Sequence, residues 1–374
     1  MVDVKKVYDT FISEGVDFFT GVPDSLLKDI CAYITDHTSK ERNVIDANEG
    51  AAIGMAAGYY MASGKVPLVY MQNSGIGNAV NPLLSLMDKK VYQLPALLLV
   101  GWRGEPGVKD EPQHVKQGEV TLALFDAMQI PYTILASEED AALCQIREAI
   151  TIARRDSMPY ALIVRKDIFG KYKLQNKVEN NYQLSREEAL KIVVDYLDER
   201  DIVVSTTGKL SRELFEYRET LHQGHKRDFL TVGSMGHSSS IALGIAIEKR
   251  NRNVFCLDGD GAIIMHMGAL SNIGNLTPVN FRHILFNNGA HESVGGQPTV
   301  GFQLDIPAIA QSCGYKAVFS AQSKREIELS LHQMSQIEGP ALLEIRVGMD
   351  SRDNLGRPTT TPLENKIDFM NNLN

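Results

Sequence analysis

Short runs of apolar residues recur along the chain, separated by stretches whose apolar positions fall three and four residues apart. Unbroken apolar runs are the mark of strands buried on both faces, and the helical spacing between them marks the helices that cover those faces. Six such runs occur in the first half: VDFFTGV (16–22), VIDA (44–47), PLVYMQ (67–72), ALLLVGW (96–102), YTIL (132–135) and YALIVR (160–165). Six more follow in the second: DIVVSTT (201–207), FLTVGS (229–234), VFCLDG (254–259), FRHILFNN (281–288), YKAVF (315–319) and ALLEIRV (341–347). Alternation of strand and helix predicts an α/β chain with mainly parallel sheets flanked by helices.

Between the two sets lies KDIFGKYKLQNKVENNYQLSREE (166–188), polar and rich in Asn, Gln and Lys. It closes on Ser185-x-x-Glu188, the pattern that starts a helix by reciprocal capping. The expected organisation is a first domain over 1–170, a linker over 171–183 and a second domain over 184–374. That stretch is too short to hold a third domain.

The length of 374 residues is about twice that of a typical domain and agrees with two. A formal net charge of −8, with no basic run, argues against a nucleic-acid partner. Any anionic ligand must therefore meet a local group of cations. The four cysteines form no CxxC pair, and three of them sit within apolar stretches, where a buried thiol behaves as a small hydrophobe. The N-terminal MVDVKKVYDTFISEGVDFF alternates charge with apolar residues, unlike a signal or transit peptide. No apolar run approaches the roughly eighteen residues of a membrane helix. A cytoplasmic protein without membrane partners is expected.

Candidate chemistry sits in CLDGDGAIIMHMGALSNIG, where a strand ends in Asp258-Gly259-Asp260-Gly261. Ile263, Met267, Leu270 and Ile273 then follow helical spacing and predict one continuous helix. Ligands bind just beyond the carboxyl ends of parallel strands, and a helix start opened by Gly259, Gly261 and the small Ala262 suits a phosphate. The carboxylate of Asp260 would repel that phosphate unless a cation lay between them. Mg²⁺ takes oxygen ligands and bridges a carboxylate to a diphosphate, and Asn288 at the next strand end can add an amide oxygen. A dinucleotide fold is the rival reading. It fails because Ile264 replaces the third glycine of G-x-G-x-x-G, and no acid lies between Asp260 and Glu292 to bind a ribose. A plain tight turn remains the simplest alternative.

GDG followed, after a helix and a strand, by NN resembles the diphosphate–metal motif of thiamine diphosphate enzymes. The resemblance implies that Asp260, Asn288 and the carbonyl of Ala290 hold Mg²⁺, and that thiamine diphosphate is the cofactor. Glu49, in IDANEGAAIGMAAGYYMAS, resembles the glutamate that protonates the cofactor's aminopyrimidine. Read from the residues alone, Glu49 starts a helix and favours its dipole. Gly54 and Gly58, four apart, suggest that this helix is buried, and a buried acid needs a partner. In GSMGH, Met235 resembles the apolar prop that bends the cofactor, with the Gly233 carbonyl facing its amino group. Thr207 and Gly208 resemble the segment that holds the terminal phosphate. The first half thus resembles the pyrimidine-binding domain and the second the diphosphate-binding domain. In this superfamily active sites lie between subunits, so a homo-oligomer is implied.

Compact two-domain architecture narrows the resemblance to the phosphonopyruvate and sulfopyruvate decarboxylase families. Its signatures are GVPDS (21–25), RGEPGVKDEPQHVKQG (103–118), TTGKLSREL (206–214), GSMGHSSSIALG (233–244) and NNGAHESVGGQPT (287–299). The implied reaction converts 3-phosphonopyruvate to phosphonoacetaldehyde and CO₂ through an enamine, in phosphonate biosynthesis of the 2-aminoethylphosphonate type. Sulfopyruvate is the alternative substrate, and a non-catalytic nucleotide-binding protein the alternative class. Such a substrate needs cations, for which Arg103, Lys109, Lys116, Lys209 and Arg212 are the candidates in loops after strands. Asp24 and Ser25 occupy the first strand-end turn, where relatives place polar active-site groups. His114 and His291 are candidates for proton relay.

Overall fold

A computed structural model describes residues 1–177, 179–349, 351–352 and 354–374. Two compact units emerge: Met1–Lys177 together with His291–Pro298, and the remainder of the described chain.

The first unit is built on β1 (Phe19–Gly21), β2 (Asn43–Ile45), β3 (Leu68–Gln72), β4 (Leu97–Gly101), β5 (Tyr132–Ile134) and β6 (Tyr160–Val164). Every pairing among them is parallel, in the order β2-β1-β3-β4-β6-β5. The unbroken apolar runs are explained by burial on both faces. Leu97 and Leu99 face one core with Phe19 and Tyr70, while Leu98 and Val100 face the other with Val69 and Met71. The chain leaves β1 toward β2 on one side and returns to β3 on the other. The ends of β1 and β3 therefore frame a crevice of the kind that receives ligands.

The second unit follows the same plan with β7 (Ile202–Ser205), β8 (Asp228–Leu230), β9 (Val254–Gly259), β10 (Phe281–Asn287), β13 (Ala317–Ala321) and β14 (Ala341–Arg346), in the order β13-β14-β10-β9-β7-β8. These pairings are parallel too, and the order reverses between β7 and β9. Two short strands unannounced by the apolar pattern, β11 (Ala290–His291) and β12 (Gln297–Pro298), pair with each other. Ser185 and Glu188 form the reciprocal cap at the start of the helix Arg186–Tyr196.

Two helices depart from expectation. The single helix expected after Asp260 breaks at His266–Gly268 into Asp260–Met265 and Ala269–Leu276. His266 leaves helical geometry at φ −133°, ψ 46°. Ile263, Leu270 and Ile273 still reach the core, but Met267 lies in the break. The helix Glu49–Ser63 buries Ala52, Ile53, Ala56 and Ala57 yet leaves Gly54 and Gly58 exposed, with no atom within 4 Å of where a side chain would begin. Among the described residues no helix is long and apolar enough to cross a membrane.

Candidate active site

In the second unit Asp260 is buried just past β9, and its neighbours leave it acceptor-only. Thr299 donates its hydroxyl to Oδ2, and the backbone N–H groups of Gly261 and Asn288 also approach the carboxylate. Burial nevertheless pushes the carboxyl up to about 6, because these contacts do not replace lost water. Gly301 makes the close approach possible, since a methyl there would sit 2.9 Å from Oδ2. Asn288 is buried at the end of the adjacent β10, and its Oδ1 accepts from the Ala290 N–H at 3.1 Å. Asn287, the first of the pair, is an organiser. It donates to Gly301 O at 2.9 Å and Glu344 Oε1 at 2.7 Å, and accepts from Gly289 N–H at 3.1 Å.

Across the strand reversal, β7 leads into Thr207 and Gly208. Thr207 Oγ1 accepts from the Gly233 N–H at 3.0 Å, which joins this loop to the one carrying Met235. Gly208, at φ +103°, starts the helix Lys209–Thr220 with no side chain over its N–H groups. Gly236, at φ +83°, packs so tightly that a methyl would meet His266 Cδ2 at 2.6 Å. This contact seats Gly236, next to the half-buried Met235, against the helix that begins with Asp260 and includes the buried Ala262. Lys209 and Arg212 have another occupation. Lys209 Nζ donates to Ser351 Oγ, and Arg212 donates to the carbonyls of Leu355 and Gly356. Both fasten Ser351, Leu355 and Gly356 to the helix.

In the first unit Glu49 is the first residue of its helix and is buried, with Asn48 capping the helix from outside. Asn78 donates to Glu49 Oε2 at 2.7 Å. Gly75 lies against Oε1, so that a methyl there would be 2.2 Å away. The carboxylate is thus held on one oxygen and closely walled at the other.

A second group gathers at the ends of β1, β3 and β4. Asp24 is fully buried and accepts from Gln72 Nε2 at 2.5 Å and Leu26 N–H at 2.8 Å, while burial raises its pKa. Arg103 donates to both oxygens of Asp110 and to Ser25 Oγ at 2.8 Å. Burial would raise the Asp110 carboxyl, but the hydrogen bonds from Arg103 and nearby backbone N–H groups outweigh it and hold the carboxyl far below its usual range. Asn73 braces the same loop through Arg103 N–H, Arg103 O and Thr121 Oγ1. His114 is buried near the start of the helix Pro112–Met128. Lys109 is exposed. Lys116 is 81% exposed and pairs with Glu119, so it faces solvent rather than this group. His291 is partly exposed, yet surrounding protein lowers its imidazole to about 4, which leaves it neutral at physiological pH.

Residues 4–130 match the family model for the thiamine pyrophosphate enzyme N-terminal TPP binding domain, and residues 206–345 match the C-terminal TPP binding domain. The chain is 32% identical over 371 residues to a phosphonopyruvate decarboxylase of Streptomyces viridochromogenes, covering 94% of this chain and 89% of the relative. The belonging is plain. This chain is a thiamine pyrophosphate enzyme of the phosphonopyruvate decarboxylase family. A phosphonopyruvate decarboxylase of Streptomyces hygroscopicus is 33% identical over 369 residues, covering 94% and 88%. A sulfopyruvate decarboxylase of Methanosarcina acetivorans is 26% identical over 347 residues, covering 86% and 85%.

The residues of this thiamine pyrophosphate enzyme fit the cofactor's needs. Asp260 is a buried carboxyl whose raised pKa marks an anion without a cation partner, and the backbone N–H of Asn288, whose side chain offers an amide oxygen, approaches it. An all-oxygen donor set of this kind suits Mg²⁺ and not a soft metal. Sequence reasoning passed over Asn78, Gly75, Asp110, Asn287 and Thr299. Asp110, Asn287 and Thr299 carried a signal, as parts of segments already singled out; Asn78 and Gly75 carried none.

Proposed function

We propose that this enzyme decarboxylates 3-phosphonopyruvate to phosphonoacetaldehyde and CO₂, with thiamine diphosphate and Mg²⁺. The observation that carries the substrate assignment is identity of 32–33% to two phosphonopyruvate decarboxylases over 94% of the chain, against 26% to the sulfopyruvate decarboxylase. Thiamine diphosphate, when bound, supplies the electron sink that takes up the electron pair released as CO₂ leaves. Asp260, Asn288 and the Ala290 carbonyl would hold Mg²⁺, and the open helix start at Gly208 with Thr207 would receive the terminal phosphate. Met235 would prop the cofactor's bend, with Gly233 accepting from its amino group.

Glu49 is the proton-handling group of the first unit. Asn78 occupies Oε2, so Oε1 is the atom left to carry a proton to the aminopyrimidine. Arg103, fixed by Asp110 and Ser25, is a directional cation for an anionic substrate, and Asp24 and Ser25 line the same strand ends. His114 and His291 are the candidates for relaying a proton to the product carbon; His291 rests neutral near pH 7, so it would pass on a proton taken from a neighbouring donor. The helix Glu49–Ser63 is apolar all round yet exposes Gly54, Met55, Gly58 and Met61, a face that supports assembly with a second copy. A cytoplasmic homo-oligomer completes the reading.

The test is kcat/KM for 3-phosphonopyruvate and for sulfopyruvate on the purified chain with both cofactors. Preference for the phosphonate is expected. Preference for sulfopyruvate would overturn the substrate, and no CO₂ from either acid would overturn the reaction. Sedimentation of the loaded enzyme as a monomer would overturn the assembly.

A further inference from the structure

Beneath the Asp260 turn, three side chains of different chemistry meet inside the apolar core. Cys256 and Asp258 are two residues apart on β9 and so share a face, and His283 on β10 pairs in register with Cys256. All three are fully buried, and the surrounding core includes Val254, Phe281, Leu285 and Tyr315. One donor atom from each lies within 4.8 Å of the others.

The spacing between Asp258 and His283 is the telling quantity. Asp258 Oδ2 and His283 Nε2 face each other at 3.5 Å, and neither has a hydrogen-bond partner. A charge-assisted hydrogen bond would bring them to about 2.7–2.9 Å. A tetrahedral ion about 2.0–2.1 Å from each sets them about 3.3–3.4 Å apart. The remaining atoms of both groups are engaged. Asp258 Oδ1 accepts from the Gly259 N–H at 3.0 Å, and His283 Nδ1 lies 3.1 Å from Tyr315 Oη. A hydrogen bond at the far nitrogen is what orients a metal-bound imidazole.

We propose that Cys256, Asp258 and His283 form a buried Zn²⁺-binding site joining β9 to β10. Thiolate, carboxylate and imidazole are the donors that zinc prefers, unlike the all-oxygen set at Asp260. Charge balances as well: on binding, the Cys256 thiol releases its proton, and the two anionic ligands neutralise Zn²⁺. The buried cluster then carries no net charge, which removes the cost of an isolated buried carboxylate. Ser238, whose buried hydroxyl lies beside the Cys256 thiol, offers a further oxygen. The site is structural, since it is closed to solvent, and it pins the two strands whose ends present Asp260 and Asn288.

The experiment measures metal in the untagged full chain, expressed with zinc and dialysed against Mg²⁺ and a weak chelator. Mass spectrometry should find roughly one zinc per chain, retained because the site is closed. Expression with Co²⁺ should give a thiolate-to-cobalt charge-transfer band. Cys256→Ser, which keeps size and polarity, should lose both the band and most of the metal. Wild-type chain with only traces of zinc would overturn the proposal and leave Asp258 and His283 as a plain buried pair. Full zinc content in a folded Cys256→Ser chain would overturn the ligand set. These readouts need no decarboxylase assay, so they stand apart from the substrate assignment.

Discussion

Gly75→Ala tests the role of Glu49 without touching Glu49. The backbone at Gly75 is helical, φ −74° and ψ −13°, so alanine adopts it without strain. The obstacle is the added methyl, which would sit 2.2 Å from Glu49 Oε1, 2.5 Å from Cδ and 2.6 Å from Cγ. Relief requires the carboxyl to retreat by roughly 1 Å, and a shift of that size costs about 10² in rate when it misplaces a catalytic group. The ceiling is the loss of an acid–base group outright, roughly 10² to 10⁴. Stability should fall by no more than about 2–3 kcal/mol, leaving the chain folded. Overpacking costs about 1–3 kcal/mol, and replacing glycine at a compatible site returns about 0.4–1 kcal/mol. The assays are steady-state kcat, calorimetric affinity for thiamine diphosphate with Mg²⁺, and exchange of the cofactor's C2 proton in deuterated buffer. The expected pattern is intact affinity, with kcat and exchange both falling about a hundredfold. Glu49→Gln, which cannot supply the proton, should show the same pattern. Wild-type kcat in a folded Gly75→Ala chain would refute the argument that the position of Oε1 governs turnover.

Asp260→Ala should abolish retention of thiamine diphosphate on gel filtration, because it removes the only anionic ligand of the proposed Mg²⁺ set. Retention at micromolar cofactor would contradict that set. Asp110→Asn should raise KM for the anionic substrate about tenfold to a hundredfold, since it loosens charge-assisted bonds worth about 1.5–3 kcal/mol. An unchanged KM would remove Arg103 from substrate binding. Lys116→Ala should leave kcat/KM and Tm nearly unchanged, because its pair with Glu119 is exposed and such pairs contribute about 0–1 kcal/mol. A large rise in KM would restore Lys116 as a substrate group.

The sheets were legible because their strands are buried on both faces. Each expected apolar run holds a strand, and VFCLDG matches β9 residue for residue. Asp260, Asn288 and Glu49 could be singled out because strand ends and helix starts are local features. What surrounds them was not local. Asn78 meets Glu49 across 29 positions, and Gly75 reads as an ordinary turn residue until its distance to Oε1 is known. Lys209 and Arg212 read as candidate substrate cations because their partners lie more than 140 positions along the chain. The break at His266 escaped the periodic pattern for another reason. Ile263 before it and Leu270 and Ile273 after it keep helical spacing and still reach one core.

The candidate cations are told apart by how they are held. Lys116 pairs at the surface, while Lys209 and Arg212 are engaged with the C-terminal segment. Arg103 differs, because its side chain is only 18% exposed and Asp110 and Ser25 fix its direction. In an acidic chain of net charge −8, the long-range field does not favour a multiply charged anion. That field is screened beyond about 8 Å at physiological ionic strength. Recognition must then come from a cation that is close, partly desolvated and already oriented. Arg103 meets those conditions. Asp110 does more than neutralise it, since a bidentate carboxylate sets the guanidinium plane and spares the ligand the entropy of ordering a long side chain. On the proposed reading, the pairing would let an acidic protein select an anion without any basic run in its sequence.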